Sequence, residues 1–423
     1  MKKSIIVMLA ASALAVCVGA SAATPPAQSG NSQAVLLQGF HWNSSGYQSP
    51  NWYNTLLGNV GDLKTMGFTH VWFPPASDSA ASQGYLPRQL NVLSSSYGSS
   101  AELTNVVRAF TNNGIRAVAD IVVNHRVGTT NWSDFTNPNW TLHTIVNNDE
   151  CNCGLGNPDT ALGFDGGRDL DHRNVGEVQK GIVTWLNHTL KPVGFTGMRI
   201  DYVRGFSPSY AGQYANAFGA EFCVGELWND MNLNNIDAHR QEIMNWINGT
   251  GNSCGAFDFT TKGLLNDALA NGNYWRLRDS SGKPQGALGW WPAMSVTFVD
   301  NHDTGPSESC GNGQNHWSVP CGAVMEGYAY VLSHPGIPTV YYPHIYNWNL
   351  KTPISALMAA RRSAGVHSTS PVAIQQATQG LYAAIINGNT RQLAMKIGPN
   401  SWSPAGSGWV LQTSGNNYAV WIK

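Results

Sequence analysis

Charge is scarce in this sequence. Asp, Glu, Lys and Arg make up 12% of the 423 residues, about half the usual share of about 25%. The 24 basic and 25 acidic side chains nearly cancel, for a formal net charge of −1. So neutral a chain offers no basic face or stripe to grip nucleic acid, which excludes that class of partner. Long apolar runs are scarce too: past the N-terminus none reaches the roughly 18 residues that would span a bilayer, so no membrane partner is expected. Internal repeats and low-complexity linkers are absent. Hydrophobic residues, at 42%, are enough for a packed core rather than a disordered chain. What is plentiful is aromatic, with 16 Trp and 15 Tyr. Core filling is the plain use of such rings, and stacking against a neutral, hydroxyl-rich ligand such as a sugar is the sharper one.

Lys2 and Lys3 precede an apolar stretch from Ile5 to Val18, and Ala20-Ser21-Ala22 follow. These are the charged region, hydrophobic region and cleavage site of a secretory signal, so residues 1–22 are expected to be removed and the protein secreted. Lipidation at Cys17 is the alternative, and the bulk of Val16 opposes it. Without Cys17, six of the seven cysteines remain, an even number suited to an oxidising compartment. Cys151-x-Cys153 has no matching Cys/His pair at zinc-ligand spacing, so disulfides are the better reading. Cys310 and Cys321 bracket one Gly- and Asn-rich loop, and Cys223 and Cys254 stand at two strand starts. Each is read as a pair, which leaves Cys151 with Cys153 by elimination.

Short apolar, β-rich runs recur at Ala34–Phe40, Thr69–Phe73, Ile115–Val123, Gly197–Asp201, Glu221–Gly225, Ala256–Phe259, Ser295–Val299 and Ile337–Tyr342. Near-continuous runs of this kind suit parallel strands covered on both faces. Between them lie helical patterns. Leu103, Val106, Val107 and Phe110 follow a capping box at Ser99-x-x-Glu102, Val178, Ile182, Leu186 and Leu190 repeat every fourth residue, and Ile243, Trp246 and Ile247 share a face. The fold class this predicts is α/β, a (β/α)8 TIM barrel over residues 23–125 and 174–364. Residues 126–173, rich in Asn, Gly and Asp, read as an irregular domain inserted after the third strand. Residues 365–423 alternate and turn often, as at Leu381–Ile386, Gln392–Ile397, Trp409–Gln412 and Tyr418–Ile422, and read as an antiparallel β-domain.

Barrel chemistry sits at the C-terminal ends of the strands. There the sequence places Asp120 to Asn124-His125, Arg199-Ile-Asp201, Glu226-Leu-Trp228, and Asp300-Asn-His302-Asp303. Arg199 and Asp201, two apart on one strand, point the same way, and the guanidinium is expected to lower the Asp201 pKa. Glu226 follows an apolar strand, whose setting is expected to raise its pKa and keep it protonated. Two carboxyls with separated pKa values suit glycosidic cleavage, in which one attacks and the other protonates the leaving oxygen. A lone acid at a strand end is more often a cap or a salt bridge. Three acids, each beside an Arg, His or Trp, are much harder to explain that way.

The segments DIVVNH, GMRIDYVRG, GELW and FVDNHDT resemble the four signature regions of the α-amylase family of glycoside hydrolases. GNPDT, DLDH, HRQEIMNWIN, FDFTTKGLLN, GWWPA and NNYAVWIK extend the likeness to plant-type α-amylases over Leu37 to Lys423. GELW, FCVGE and FVDNHDTG also resemble bacterial maltooligosaccharide-forming amylases. The resemblance implies Asp201 as nucleophile, Glu226 as acid/base and Asp303 as stabiliser of an oxocarbenium-like transition state. It implies sugar contacts from His125, Arg199 and His302, a platform at Tyr85 and a leaving-group-side ring at Trp228. Arg204 stands where many members have Lys, a planar fork for a point charge, which bears on leaving-group affinity.

It also implies one calcium ion, held by Asn124, Asp159 and Asp169 and by the carbonyls of Gly167 and Gly205. An oxygen-only set of this kind suits calcium. Gly163 stands where some plant-type members place an acid for a second ion. The expected activity is endo-hydrolysis of α-1,4-glucosidic bonds in starch, glycogen and maltooligosaccharides by a monomer, with no separate starch-binding module. An exo-acting amylase or transglycosylase on the same barrel is the alternative, and a non-catalytic binding protein is disfavoured by the intact acids. Trp290-Trp291 is a candidate surface site, buried or exposed.

Overall fold

The structure is a computed structural model that describes residues 24–158 and 161–423. The secretory signal and Asp159 lie outside the described residues. Eight parallel strands close into a barrel: β1 (Leu36–Gln38), β2 (His70–Trp72), β3 (Arg116–Ile121), β4 (Phe195–Ile200), β5 (Phe222–Gly225), β6 (Gly255–Phe257), β7 (Ser295–Phe298) and β8 (Ile337–Tyr341). Each pairs with its neighbours in sequence, and β8 returns to β1. Nearly every strand residue is buried, which is why the runs carry no polar alternation.

Helices α1 (Trp52–Met66), α2 (Ser100–Asn112), α3 (Lys180–Trp185), α4 (Pro208–Phe218), α5 (Ile236–Gly249), α6 (Phe259–Asn271), α7 (Val324–Ser333), α8 (Tyr342–Tyr346) and α9 (Lys351–Ala364) accompany the barrel. The start of α2 is set by the expected box: Ser99 N donates to Glu102 Oε2 (2.8 Å), and Glu102 N donates to Ser99 Oγ (3.3 Å). Its stripe Leu103, Val106, Val107 and Phe110 is fully buried. The four-residue repeat from Val178 to Leu190 has a different outcome. A period of four drifts off the face of an α-helix with about 3.6 residues per turn. Here α3 is flanked by wider π-helical turns at Val175–Gln179 and Leu186–Leu190, and all four apolar side chains stay buried.

After β3 the chain leaves the barrel in an irregular excursion, whose base is a short ribbon pairing His125 with Asp169 and Arg126 with Arg168. Beyond α9, a second sheet is antiparallel in the order β9 (Val372–Thr378), β10 (Leu381–Asn387), β11 (Gln392–Ile397), β13 (Tyr418–Ile422), β12 (Val410–Gly415). The edge strand β9 was not anticipated, because its residues Val-Ala-Ile-Gln-Gln-Ala-Thr are mostly exposed and bulge between Ile374 and Gln376. The sheet is joined to the barrel through polar groups. Glu326 of α7 accepts hydrogen bonds from Tyr274 Oη (2.6 Å), Gly398 N (3.1 Å) and Asn417 Nδ2 (3.1 Å), and the His334 ring bonds Tyr382 Oη (2.8 Å).

Cys151–Cys153, Cys223–Cys254 and Cys310–Cys321 are bonded. Trp290 and Trp291 precede β7, at the end of the barrel away from the strand C-termini. Trp290 is exposed, with the Arg240 guanidinium 3.8 Å from its ring centroid. Among the described residues no helix is long and apolar enough to cross a membrane.

Candidate active site

Two backbone bonds carry the parallel ladder one step past the strands and present the acids at the barrel mouth. Asp201 N donates to Ile121 O (2.9 Å), and Glu226 N donates to Ile200 O (3.0 Å). Beneath them lies Arg199, whose side chain is 0% exposed. Its Nη1 donates to Asp120 Oδ1 (2.8 Å) and Asp201 Oδ1 (2.7 Å), and its Nη2 pairs with Glu226 Oε1 (2.6 Å). The resemblance had placed Arg199 among the residues that hold the sugar. Here the guanidinium is fully buried and its ion pairs are with these three carboxylates. Asp120 is fully engaged as well, accepting from Trp72 Nε1 (3.0 Å) and Tyr85 Oη (2.9 Å) at Oδ2.

One cation cannot hold so many neighbouring carboxyls ionised. Burial raises Glu226 to about 7, against the pull of Arg199, and the charge of Asp201 adds to the rise. Burial also raises Asp201, further than Arg199 pulls it down. The expectation of a lowered Asp201 is therefore corrected in direction, because it counted the guanidinium and not the enclosure. Asp303 is also pushed well above its ordinary value by burial and by the Glu226 charge. Its near neighbour His302 (3.3 Å) gives it no counter-charge, because burial holds that ring neutral. Near neutrality the site therefore keeps protons on part of its acid set, which is what a general acid requires.

The acids open into a cavity of about 300 Å³ also lined by Tyr85, His125, Arg204, Trp228 and His302. Tyr85 and His302 stack 5.2 Å apart and 10° from parallel, with Trp42 nearly parallel beyond them. Gln38 Nε2 meets His302 Nδ1 (2.9 Å) and fixes that ring. His125 stacks on Phe164 (3.9 Å) and bonds the Tyr85 carbonyl through Nε2 (2.8 Å). Trp228 stacks on Phe259 (5.5 Å, 6°). Arg204 donates to the Trp228 carbonyl (3.0 Å) and lies over Tyr202. Tyr202, between nucleophile strand and cavity, has a left-handed backbone (φ 45°), a strained setting for a non-glycine residue. Sequence reasoning did not single out Trp42, Phe164, Tyr202 or His316, which come from four separate loops. Asp120 stood in a quoted motif, and its alternation with Val118 on β3 was the signal that it faces inward.

Among the described residues, the proposed metal ligands Asn124, Asp169, Gly167 and Gly205 gather where the excursion meets the barrel. Asn124 is 1% exposed, its Nδ2 donates to Asp169 Oδ1 (3.1 Å), and its Oδ1 has no hydrogen-bond partner among the described residues. A Cβ on Gly205 would stand 1.9 Å from that oxygen, so only glycine allows the backbone so close. A buried, unsatisfied carboxamide oxygen beside a carboxylate and close backbone fits a hard cation. Asp149, Glu150 and Asp169 also bring a carboxylate oxygen each within 4.8 Å of one another. Asp149 was not foreseen; it accepts from Asp169 N (2.9 Å) and pairs with Arg168 (3.1 Å).

The chain matches the family descriptions "Alpha amylase, catalytic domain" over residues 58–141 and "Alpha-amylase C-terminal beta-sheet domain" over residues 363–422. It is 44% identical over 404 residues to probable alpha-amylase 2 of Arabidopsis thaliana, covering 92% of this chain and 94% of the relative. It is 29% identical to the glucan 1,4-alpha-maltotetraohydrolase of Stutzerimonas stutzeri, covering 88% of this chain and 69% of that protein. The crystal structure of an alpha-amylase from Geobacillus thermoleovorans complexed with acarbose superposes with a TM-score of 0.66 at 15% identity, covering 92% of this chain and 97% of that one. With a relative so similar over nearly its whole length, the chain belongs to the α-amylase family.

Proposed function

We propose that this protein is a secreted α-amylase that cleaves α-1,4-glucosidic bonds inside starch-type glucans with retention of configuration. The observation that carries the reading is the single guanidinium of Arg199 holding Asp201 and Glu226, with Glu226 raised to about 7. Asp201 attacks the anomeric carbon while Glu226 gives its proton to the leaving oxygen. Glu226 then takes a proton from the water that releases the sugar. Asp303 lies at the same cavity and hydrogen-bonds the sugar hydroxyls. Tyr85 and Trp228 bound the sugar faces on either side, and His125, His302 and Arg204 offer polar contacts.

Proton NMR of the first product from maltopentaose is expected to show the α-anomer. Initial release of the β-anomer would falsify the mechanism. The relative named a maltotetraohydrolase supports a second reading, exo-action with one dominant short product. A product time-course on amylose separates the two, since endo-action yields mixed oligosaccharides.

Asn124, Asp169 and the carbonyls of Gly167 and Gly205, together with Asp159, would hold calcium, and Asp149 lies beside them. Calcium bound there would tie the excursion to β3 and stabilise the native state. At a free concentration of about 100 times its dissociation constant, the gain is about 2.7 kcal/mol. Chelator is expected to lower the melting temperature and activity together, and added calcium to restore both. Asp169→Ala should weaken calcium binding in calorimetry. Unchanged melting after demonstrated loss of calcium would remove the site.

A further inference from the structure

Lys262 of α6 and Asp300, which stands shortly before Asp303 in the chain, form an ion pair (Nζ to Oδ1 2.6 Å) in which both side chains are 0% exposed. Neither is among the residues that line the active-site cavity. Stability alone gives little reason for such a pair, since two charges withdrawn from water often do no better than an apolar pair of similar volume. Its use lies in what the ammonium reaches.

Asp303 is carried on a turn that is closed within itself. Asn301 Oδ1 accepts from Asp303 N (3.0 Å) and Thr304 N (2.8 Å), and Asn301 N donates to Thr304 Oγ1 (3.0 Å). Gly305 N donates to Asn301 O (2.9 Å). A unit so bonded moves as one piece, and Asp303 goes where its two sides are held. The first side is Asp300, whose Oδ1 accepts from Lys262 and from Val319 N (3.4 Å). A Cβ on Gly305 would stand 2.5 Å from the Asp300 Cβ, so the turn folds back directly onto this anchor. The second side is residues 316–318, where His316 N donates to Asp303 O (3.0 Å) and Trp317 N to Thr304 O (3.0 Å). That segment is tied to α6 by Asn266 Nδ2, which donates to Trp317 O (2.8 Å). Lys262 and Asn266 stand one turn apart on α6, and Lys262 Nζ donates to Asn266 Oδ1 (2.9 Å). One buried ammonium therefore holds both the anchor at the start of the turn and the strut that supports its far side. An apolar side chain could fill the same space and would hold neither.

We propose that Lys262 is a positioning residue for Asp303, fixing through Asp300 and Asn266 where that carboxyl meets the sugar. The proposal rests on the glucan-hydrolase reading, in which Asp303 contacts the substrate, and adds to it a residue that never touches the substrate. Misplacing a reacting group by about 1 Å from a distance can cost about 10²-fold in rate.

The test measures kcat and KM on soluble starch, together with the melting temperature, for wild type and three variants. Lys262→Met with Asp300→Leu removes both charges at once, strands neither, and should melt close to wild type. Its kcat is expected to fall about 10- to 100-fold with KM changed by less than about threefold, because the misplaced carboxyl is missed in the transition state more than in holding a long chain. Lys262→Gln with Asp300→Asn restores hydrogen bonds without charge and should recover part of that loss. Asn266→Leu keeps the ion pair but loses the strut, and about three- to tenfold in kcat is expected to go with it. A folded Met/Leu double variant whose kcat stays within about twofold of wild type, or whose loss is confined to KM, overturns the proposal. If that variant does not fold, Asn266→Leu decides alone, and an unchanged kcat there overturns it. Wild type inactive on starch would overturn the glucan-hydrolase reading instead, and the proposal with it.

Discussion

Asp201→Asn is expected to lower kcat on soluble starch by on the order of 10⁴-fold or more, since loss of a nucleophile disables the residues that act with it. The fold should survive. Asp201 is one of several crowded acids, and its charge raises Glu226, so removing it relieves repulsion rather than leaving a hole. Arg199 keeps Asp120 and Glu226 as partners. The same substitution carries a sign that a merely structural role would not. In the wild type, Glu226 must be protonated to act, so activity should fall as pH rises through about 7. Without the Asp201 charge, Glu226 should titrate at lower pH, which carbon NMR of labelled glutamate can follow. A folded variant that retains most of its turnover would exclude Asp201 as nucleophile.

Arg199→Leu is expected to cost about 3–5 kcal/mol of stability, because it leaves Asp120, Asp201 and Glu226 buried without their shared counter-charge. The loss should depend on pH in a definite direction. Without the guanidinium, the folded-state pKa values rise further above their ordinary values of 3.8 for Asp and 4.5 for Glu. Stability attached to raised carboxyls is present at low pH and lost as pH rises through the folded values. The gap between variant and wild type should therefore be widest at neutral pH and narrow below about pH 4. Arg199→Lys should recover part of it, since one ammonium cannot serve three carboxylates from two nitrogens. Denaturant melts at several pH values measure this directly, and a gap independent of pH would count against the shared-cation account.

The barrel was legible because its strands are buried on both sides, and a run such as Ala117–Ile121 has no polar alternation to confuse it. Strand β9 was not, because an exposed edge strand takes its shape from its partner rather than from its own pattern. The three acids were visible from their places at strand ends. The direction of the Asp201 shift was not, because enclosure is contributed by residues remote in sequence. Trp42 and His316 illustrate the same limit: each sits in its own loop, and no spacing along the chain relates them. Asp149 lies in an irregular segment where periodicity carries no information.

The polar seam between α7 and the C-terminal sheet bears on how the chain is made. Two of the three donors to Glu326, Gly398 N and the Asn417 amide, belong to strands and turns made well after α7. Until they emerge, the carboxylate has Tyr274 alone, and α7 cannot be sealed against its surroundings without stranding a buried charge. The barrel therefore waits, incomplete at one helix, for the strands around Gly398 and Asn417 to be synthesised. A ribosome stalled shortly before residue 398 would carry a nascent chain still open at α7.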